Sequence, residues 1–278
     1  MTHYRNTCKT NVKNIKDING TIYLFLRRLK LAKLNSLCAG TQLSIRKADS
    51  LVKDKNHSIN NLHFSQYISQ IDFGNFRHKL DRYFSKPTES IELSTASKKE
   101  ATILQDLFID GNYMNGLDAF LCWLTHINAS LTDEQSRLRT HETVYEFSTT
   151  GSSFVYPTPS ESIIGLRELY FVLNRVESAI MRSILLYVAV IYLHPFIDGN
   201  GRTARVAMNY VLGSLTDQPF VPWKEIMERS WGGYVIRMRM AGIFNEWDEI
   251  IRYFCTILSS VAGTTPNLIR PELQPAAM

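Results

Sequence analysis

Cysteine is scarce, with four among 278 residues: Cys8, Cys38, Cys122 and Cys255. They stand far apart and form no CxxC pair, which argues against a disulfide framework and against a thiolate metal site; a reducing cytoplasm is the simplest home. Long hydrophobic runs are also missing. The stretch "TIYLFLRRLKLAKL" at 21–34 is broken by Arg27, Arg28, Lys30 and Lys33, and the apolar run at 183–193 is too short to span a bilayer. The first residues lack a leader followed by a small-residue cleavage site, so the expectation is a soluble protein. No internal repeat and no low-complexity tract occurs, which removes solenoid and fibrous classes.

What is present points to a packed core. Hydrophobic residues make up 45% of the chain, with 14 Phe and 13 Tyr, a composition that excludes intrinsic disorder. Charge is unevenly spread. Residues 1–58 carry 12 Lys+Arg against 3 Asp+Glu, so this arm has a net charge of +9 and the remainder −4. Such an arm could meet anionic lipid, nucleic acid or an acidic partner. Without aromatic interleaving or zinc spacing, a solvated basic segment is the favoured reading and nucleic acid the disfavoured one.

Along the chain, residues 1–60 read as a basic extension of unknown role, with one helical piece near 22–35. A helix is expected at 72–84, ended by Lys86-Pro87, within a helical region at 61–110. A core follows at 111–262, then a Pro-rich tail at 263–278. Inside the core, "NGLDAFLCWLTHIN" is a helix by periodicity. "TVYEF" (143–147) and "SFVY" (153–156), separated by "STTGS", form a small hairpin closed by Pro157 and Pro159. Ser160 can cap a helix running to Asn174. The segment at 177–193 is apolar nearly all round, so it is expected to be the buried central helix of a bundle. Another helix ends at Gly213 with a left-handed cap, and two more span 223–241 and 246–261. The fold class is all-α with one small β-hairpin.

Directly after the buried helix comes "HPFIDGNGRTAR", residues 194–205. Gly199 and Gly201 let a tight loop turn its N–H groups toward a ligand. Asn200 suits the N-cap of the next helix, whose free amides and dipole make an anion site. Arg202 and Arg205, at i and i+3, can reach one polyphosphate together. Asp198 is a hard oxygen ligand of the type Mg²⁺ takes alongside phosphates. His194 has the pKa range suited to removing a proton near neutrality. Together these parts describe nucleotidyl or phosphoryl transfer to a hydroxyl. Among the other histidines, His126 and His141 have no partner at metal-ligand spacing.

The segment resembles the defining motif of the Fic family, HPFx(D/E)GNGRxxR, and meets every fixed position. More loosely, the resemblance extends over 89–261 and leaves 1–60 uncovered. It implies a Fic-type helical bundle with a β-hairpin flap at 143–156 that registers a target segment by strand pairing. It also implies AMP transfer from ATP, with Mg²⁺, to a Ser, Thr or Tyr hydroxyl of a target protein. By that resemblance His194 is the general base and Asp198 the metal ligand. Gly199, Asn200 and Gly201 cradle phosphate, Arg202 and Arg205 hold the outer phosphates, Phe196 anchors the loop, and Tyr234 contacts adenosine. Kinase-like relatives carry lysine at the position of Gly201, so glycine favours adenylyl over phosphoryl transfer. Removal of AMP, or a nucleotide-binding toxin or adaptor acting through the basic arm, are the competing readings; retention of His194 argues against pure binding.

Many members of that family carry an inhibitory helix, (S/T)xxxE(G/N), whose glutamate pairs with the second motif arginine. Here "ASKKEAT" (96–102) lies at the corresponding place. Glu100 fits the glutamate, while Ala96 and Ala101 depart from the pattern. A degenerate internal brake at Glu100, a brake in a separate antitoxin protein, and no brake at all remain open at the level of sequence; besides the target protein, an antitoxin or a second copy of the chain is a candidate partner.

Overall fold

The computed structural model describes residues 12–16, 22–26, 31–53, 94–110, 115–132, 137–142, 144–147, 152–213, 220–228 and 233–263. The expected helix at 72–84 and the Pro-rich tail lie outside these residues. The elements in chain order are β1 (Val12–Lys16), β2 (Ile22–Leu26), a 3-10 turn (Leu34–Ser36), α1 (Ala39–Lys53), α2 (Thr95–Asp110), α3 (Leu117–Thr132), β3 (Val144–Phe147), β4 (Ser152–Val155), α4 (Pro159–Leu173), α5 (Ala179–Leu193), α6 (Asn200–Gly213), α7 (Trp223–Glu228), α8 (Gly233–Phe244) and α9 (Asp248–Gly263). The protein is dominantly helical, as its periodicity foretold. No helix among the described residues is long and apolar enough to cross a membrane.

The centre of the bundle is α5, "AIMRSILLYVAVIYL", with 13 of its 15 residues buried. A helix that is apolar on every side is stable only when other helices cover every side. Here α4 and α6 flank it, and α1, α8 and α9 close the remaining faces. Its start is set by Ser178, whose side chain accepts a hydrogen bond from the Met181 amide. For α4 the cap is Thr158 rather than Ser160. Thr158 and Glu161 form a reciprocal capping box, and Pro159 takes the first helical position, where a missing N–H costs nothing.

The N-terminal third departs most from expectation. In place of one helical piece at 22–35 there is strand β2, the 3-10 turn and then α1. An uninterrupted apolar run such as "IYLFL" carries no period that separates strand from helix, and its aromatic and β-branched content favours strand once a partner edge is available. That edge is β4. The four strands form a sheet in the order β1-β2-β4-β3, with β1–β2 and β3–β4 antiparallel and β2–β4 parallel. The hairpin β3–β4 is present where the sequence places it, but β2 covers one side of β4, leaving β3 and β1 as the outer strands.

Residues 31–53, grouped by sequence with the basic extension, are packed into the helical body. Helix α1 lies on α9 and α5, Ile45 and Ala48 are buried, and Asp49 Oδ1 accepts the Ile180 amide at the start of α5 at 3.3 Å. Two C-terminal details also differ. Gly213 ends α6 without taking positive φ, and the segment expected as one helix at 223–241 is the pair α7 and α8.

Candidate functional site

Helix α5 ends on His194, which has left-handed backbone angles (φ 46°, ψ 56°). Positive φ is unfavourable for a residue with a Cβ and persists only where its surroundings fix it. The His194 amide donates to Val190 O at 3.1 Å, the single bond of an αL cap. Pro195 has no N–H with which to complete the alternative two-bond cap. The last carbonyls of α5 therefore find other partners. Ser162 Oγ donates to Leu193 O at 2.5 Å, and Arg139 Nε donates to His194 O at 2.5 Å.

A neutral imidazole carries its proton on one ring nitrogen and leaves the other as an acceptor. Tyr156, just beyond β4, stacks on the ring at 3.9 Å between centroids. Burial lowers the pKa of His194 from its ordinary value of 6.5 to about 4, with the positive charge of Arg139 acting in the same direction. The imidazole is thus unprotonated at neutral pH. In the nucleotide-free protein, NMR titration of its ring protons is expected to give a midpoint near 4; a midpoint at 6.5 would contradict this electrostatic account.

The loop that follows is built by buried polar groups. Phe196 is fully buried and anchors the turn in the core. Asn200 is nearly fully buried, and its side chain closes back over Phe196: Oδ1 accepts the Phe196 amide at 2.9 Å and Nδ2 donates to the Phe196 carbonyl at 2.8 Å. This corrects the expectation that Asn200 caps α6 by its side chain; it latches the loop. Gly199 adopts φ +77°, and a Cβ there would lie 2.7 Å from Asn128 Nδ2 and 2.9 Å from Thr132 Cγ2. Asn128 in turn donates to the Asp198 carbonyl at 2.8 Å and to Thr203 Oγ1 at 3.0 Å. The turn is thereby fixed against α3.

Helix α6 starts at Asn200, and Thr203 N makes its first intrahelical bond, to Gly199 O. The amides of Asn200, Gly201 and Arg202 have no acceptor within the helix, and with the positive end of the dipole this helix start is of the kind that suits an anion. Arg202 stands over it, bonded through Nη2 to Asp198 Oδ2 at 2.7 Å and through Nη1 to Leu131 O at 3.1 Å. The Asp198 side chain is 79% exposed, open to a ligand from solvent. Among the described residues no group of three His, Cys, Asp or Glu side chains is arranged to hold a metal. Asp198 fits the role of a single carboxylate for a Mg²⁺ whose remaining ligands come from phosphate and water.

Arg205 does not face open solvent. It meets Glu100 on α2 in a two-pronged pair, with Nε at 3.2 and 3.1 Å from the two carboxylate oxygens and Nη2 on Oε1. Glu100 is completely buried. Burial pushes its pKa up, the bond and charge of Arg205 pull it down, and the pair holds the pKa of Arg205 above its ordinary value. Sequence alone left open whether Glu100 reaches Arg205; in the structure it does. Tyr234 is half-buried at the start of α8 and hydrogen-bonded with Tyr187, which lies beside Arg205.

Several contributors escaped sequence reading. Glu225 on α7 accepts the Ser94 amide (3.0 Å), Ser94 Oγ (2.9 Å) and Ser97 Oγ (2.9 Å), pinning the start of α2. Glu225→Ala takes away the acceptor of the Ser94 amide and of Ser97 Oγ and is expected to cost about 1–3 kcal/mol in denaturant unfolding; an unchanged midpoint would mean that water replaces the carboxylate. Arg139, Ser162, Asn128 and Tyr156 likewise act across long separations. No spacing rule links them to the loop.

Fold and site together define a dominantly helical protein with a small sheet, a histidine-tipped central helix and a glycine-containing loop that leads into the next helix. Residues 119–212 match the model of the Fic/DOC family, and this part of the chain is a Fic/DOC domain. Among solved structures, a Fic family protein from Desulfovibrio desulfuricans G20 aligns with TM-score 0.57 at 11% identity, covering 82% of this chain and 74% of that one. At that identity the likeness speaks for a shared fold. Fic-1 from C. elegans (residues 134–508) aligns at TM-score 0.47 and 15% identity, covering 81% and 71%. IbpAFic2 covalently tethered to Cdc42 aligns at 0.45 and 16%, covering 78% and 70%.

Proposed function

We propose that the protein transfers AMP from ATP to a hydroxyl side chain of a target protein. The observation that carries this reading is the neutral imidazole of His194, with one ring nitrogen free to accept, standing one turn of loop from the amides and arginine that would seat a polyphosphate. A base beside an anion seat suits attack by an alcohol on a phosphorus centre. The target oxygen attacks the α-phosphorus, His194 takes the hydroxyl proton, and the bond from the α-phosphorus to its bridging oxygen breaks. Pyrophosphate leaves and the target carries AMP.

The roles of the chain's residues follow from their positions. The first amides of α6 and Arg202 bind phosphate oxygens. Gly199 lets the backbone turn, while Asn200 and Asn128 hold the turn rigid. Asp198 would hold Mg²⁺, which when bound neutralises phosphate charge. Tyr234 would flank the nucleotide. Strand β3, an outer strand of the sheet, offers an edge for a target segment. Glu100 acts as a brake, because while it occupies Arg205 the guanidinium is withheld from the outer phosphates.

The reading is tested by incubating the protein with Mg²⁺ and either α-³²P-ATP or γ-³²P-ATP. Covalent label from the α-position alone is expected. Label from the γ-position would make the enzyme a kinase, and no label from either, in wild type and in Glu100→Gly, would leave only nucleotide binding.

A further inference from the structure

Arg139 is 3% exposed, yet none of the groups that it hydrogen-bonds is a carboxylate. Nε donates to His194 O (2.5 Å) and Nη1 to His141 O (3.0 Å). Nη2 is shared among Pro157 O, Ser162 Oγ (2.9 Å) and Leu193 O (3.4 Å). Its own amide donates to Pro195 O at 2.8 Å, and Leu138 beside it bridges Phe196. Burying a guanidinium is costly unless its donors are satisfied. Closing a helix end needs no more than a glycine or an asparagine, so a cap alone does not account for this residue.

The acceptors come from separate elements that meet at the reacting histidine. Leu193 and His194 are the end of α5. Ser162 is in the first turn of α4. Pro157 is the residue after Tyr156, whose ring lies on the His194 imidazole, and two residues after the end of β4. One planar fork therefore holds both the backbone of the base and the root of the hairpin. Lysine, with donors on a single point, cannot span these carbonyls.

We propose that Arg139 is a positioning residue for the transfer reaction: it ties the end of α5 to the base of the β3–β4 hairpin, so that His194 and a target segment held by the hairpin keep a common register. The proposal rests on the AMP-transfer reading, in which the hairpin presents the hydroxyl that His194 deprotonates. It predicts that loosening this residue harms the chemical step and spares the phosphate seat, which stands on α3 and α6.

The test uses the full chain in the Glu100→Gly background and compares Arg139, Arg139→Lys and Ser162→Ala. Ser162→Ala removes one partner and keeps the guanidinium, which covers the case of an Arg139 variant that does not fold. Arg139→Lys is expected to lower kcat for AMP transfer about 100-fold, the scale of misplaced reacting groups, with the Kd for Mg²⁺-ATP within about threefold, under half of one tenfold step. Ser162→Ala should move both in the same directions by less. Hydrogen exchange read by mass spectrometry should rise together in residues 152–157 and 190–194 while α9 stays unchanged. Full kcat in Arg139→Lys, exchange rising in only one of the two segments, or equal loss of nucleotide affinity and kcat would overturn the proposal. The exchange readout does not depend on turnover, so joint loosening in a protein that transfers no AMP would uphold the coupling and reject the reaction.

Discussion

Glu100→Gly is expected to raise covalent AMP labelling about 5- to 150-fold, the span of coupling free energies of 1–3 kcal/mol. In the resting protein Arg205 is engaged along its Nε–Nη2 edge by a fully buried carboxylate. An outer phosphate can use that guanidinium only after the carboxylate has left, and separating a buried pair leaves two uncompensated charges. Removing the carboxylate removes that obstacle in advance. It also leaves Arg205, whose side chain is 13% exposed, without its counter-ion. The variant should therefore melt earlier without ligand and gain more stability from Mg²⁺-ATP than the wild type does, because a phosphate can replace the lost anion. Unchanged labelling together with an unchanged thermal response to ATP would remove Glu100 from any regulatory role.

His194→Ala has the opposite consequence. Loss of the base is expected to reduce transfer about 10²- to 10⁴-fold, measured in the Glu100→Gly background, where turnover is highest. ATP binding should change little, because the amides of α6, Arg202 and the loop latch do not depend on the imidazole. The pH profile separates the role of base from that of packing. With the imidazole pKa lowered to about 4, activity should stay level as the pH falls from 7 to 5 and then decline as the ring takes up a proton near 4. A decline centred on 6.5 would mean an exposed, unperturbed histidine. Substantial transfer by the alanine variant would assign the proton to another acceptor.

The loop was the most legible part of the chain because its chemistry is local. Glycine at a positive φ, a buried phenylalanine and two arginines one turn apart leave a compact signature between two helices. Helix α5 was equally plain, since a segment apolar on every face admits only a central position. The β3–β4 hairpin was readable from its aromatic and β-branched runs. Strand β2 was not, because its identity depends on pairing with β4 about 130 residues away in the chain. The same physics hid Glu225, Arg139 and Ser162, each of which works through long-range hydrogen bonds with ordinary neighbours in sequence. Asn200 was recognised as important but given the wrong job: with Phe196 buried beneath it, its amide serves the loop backbone better than the helix end. For Glu100, sequence offered a charge on a helix and left its partner open. Packing of α2 on α6 supplied the partner.

The most direct measurement is the intact mass of Glu100→Gly after incubation with Mg²⁺ and ATP, with the Glu100→Gly/His194→Ala protein beside it. A covalent increment of one AMP on a hydroxyl residue of the first protein, absent from the second, is the predicted result. An increment of one phosphate, or an AMP adduct of equal yield in both proteins, would contradict the assignment of His194 as the base for adenylyl transfer.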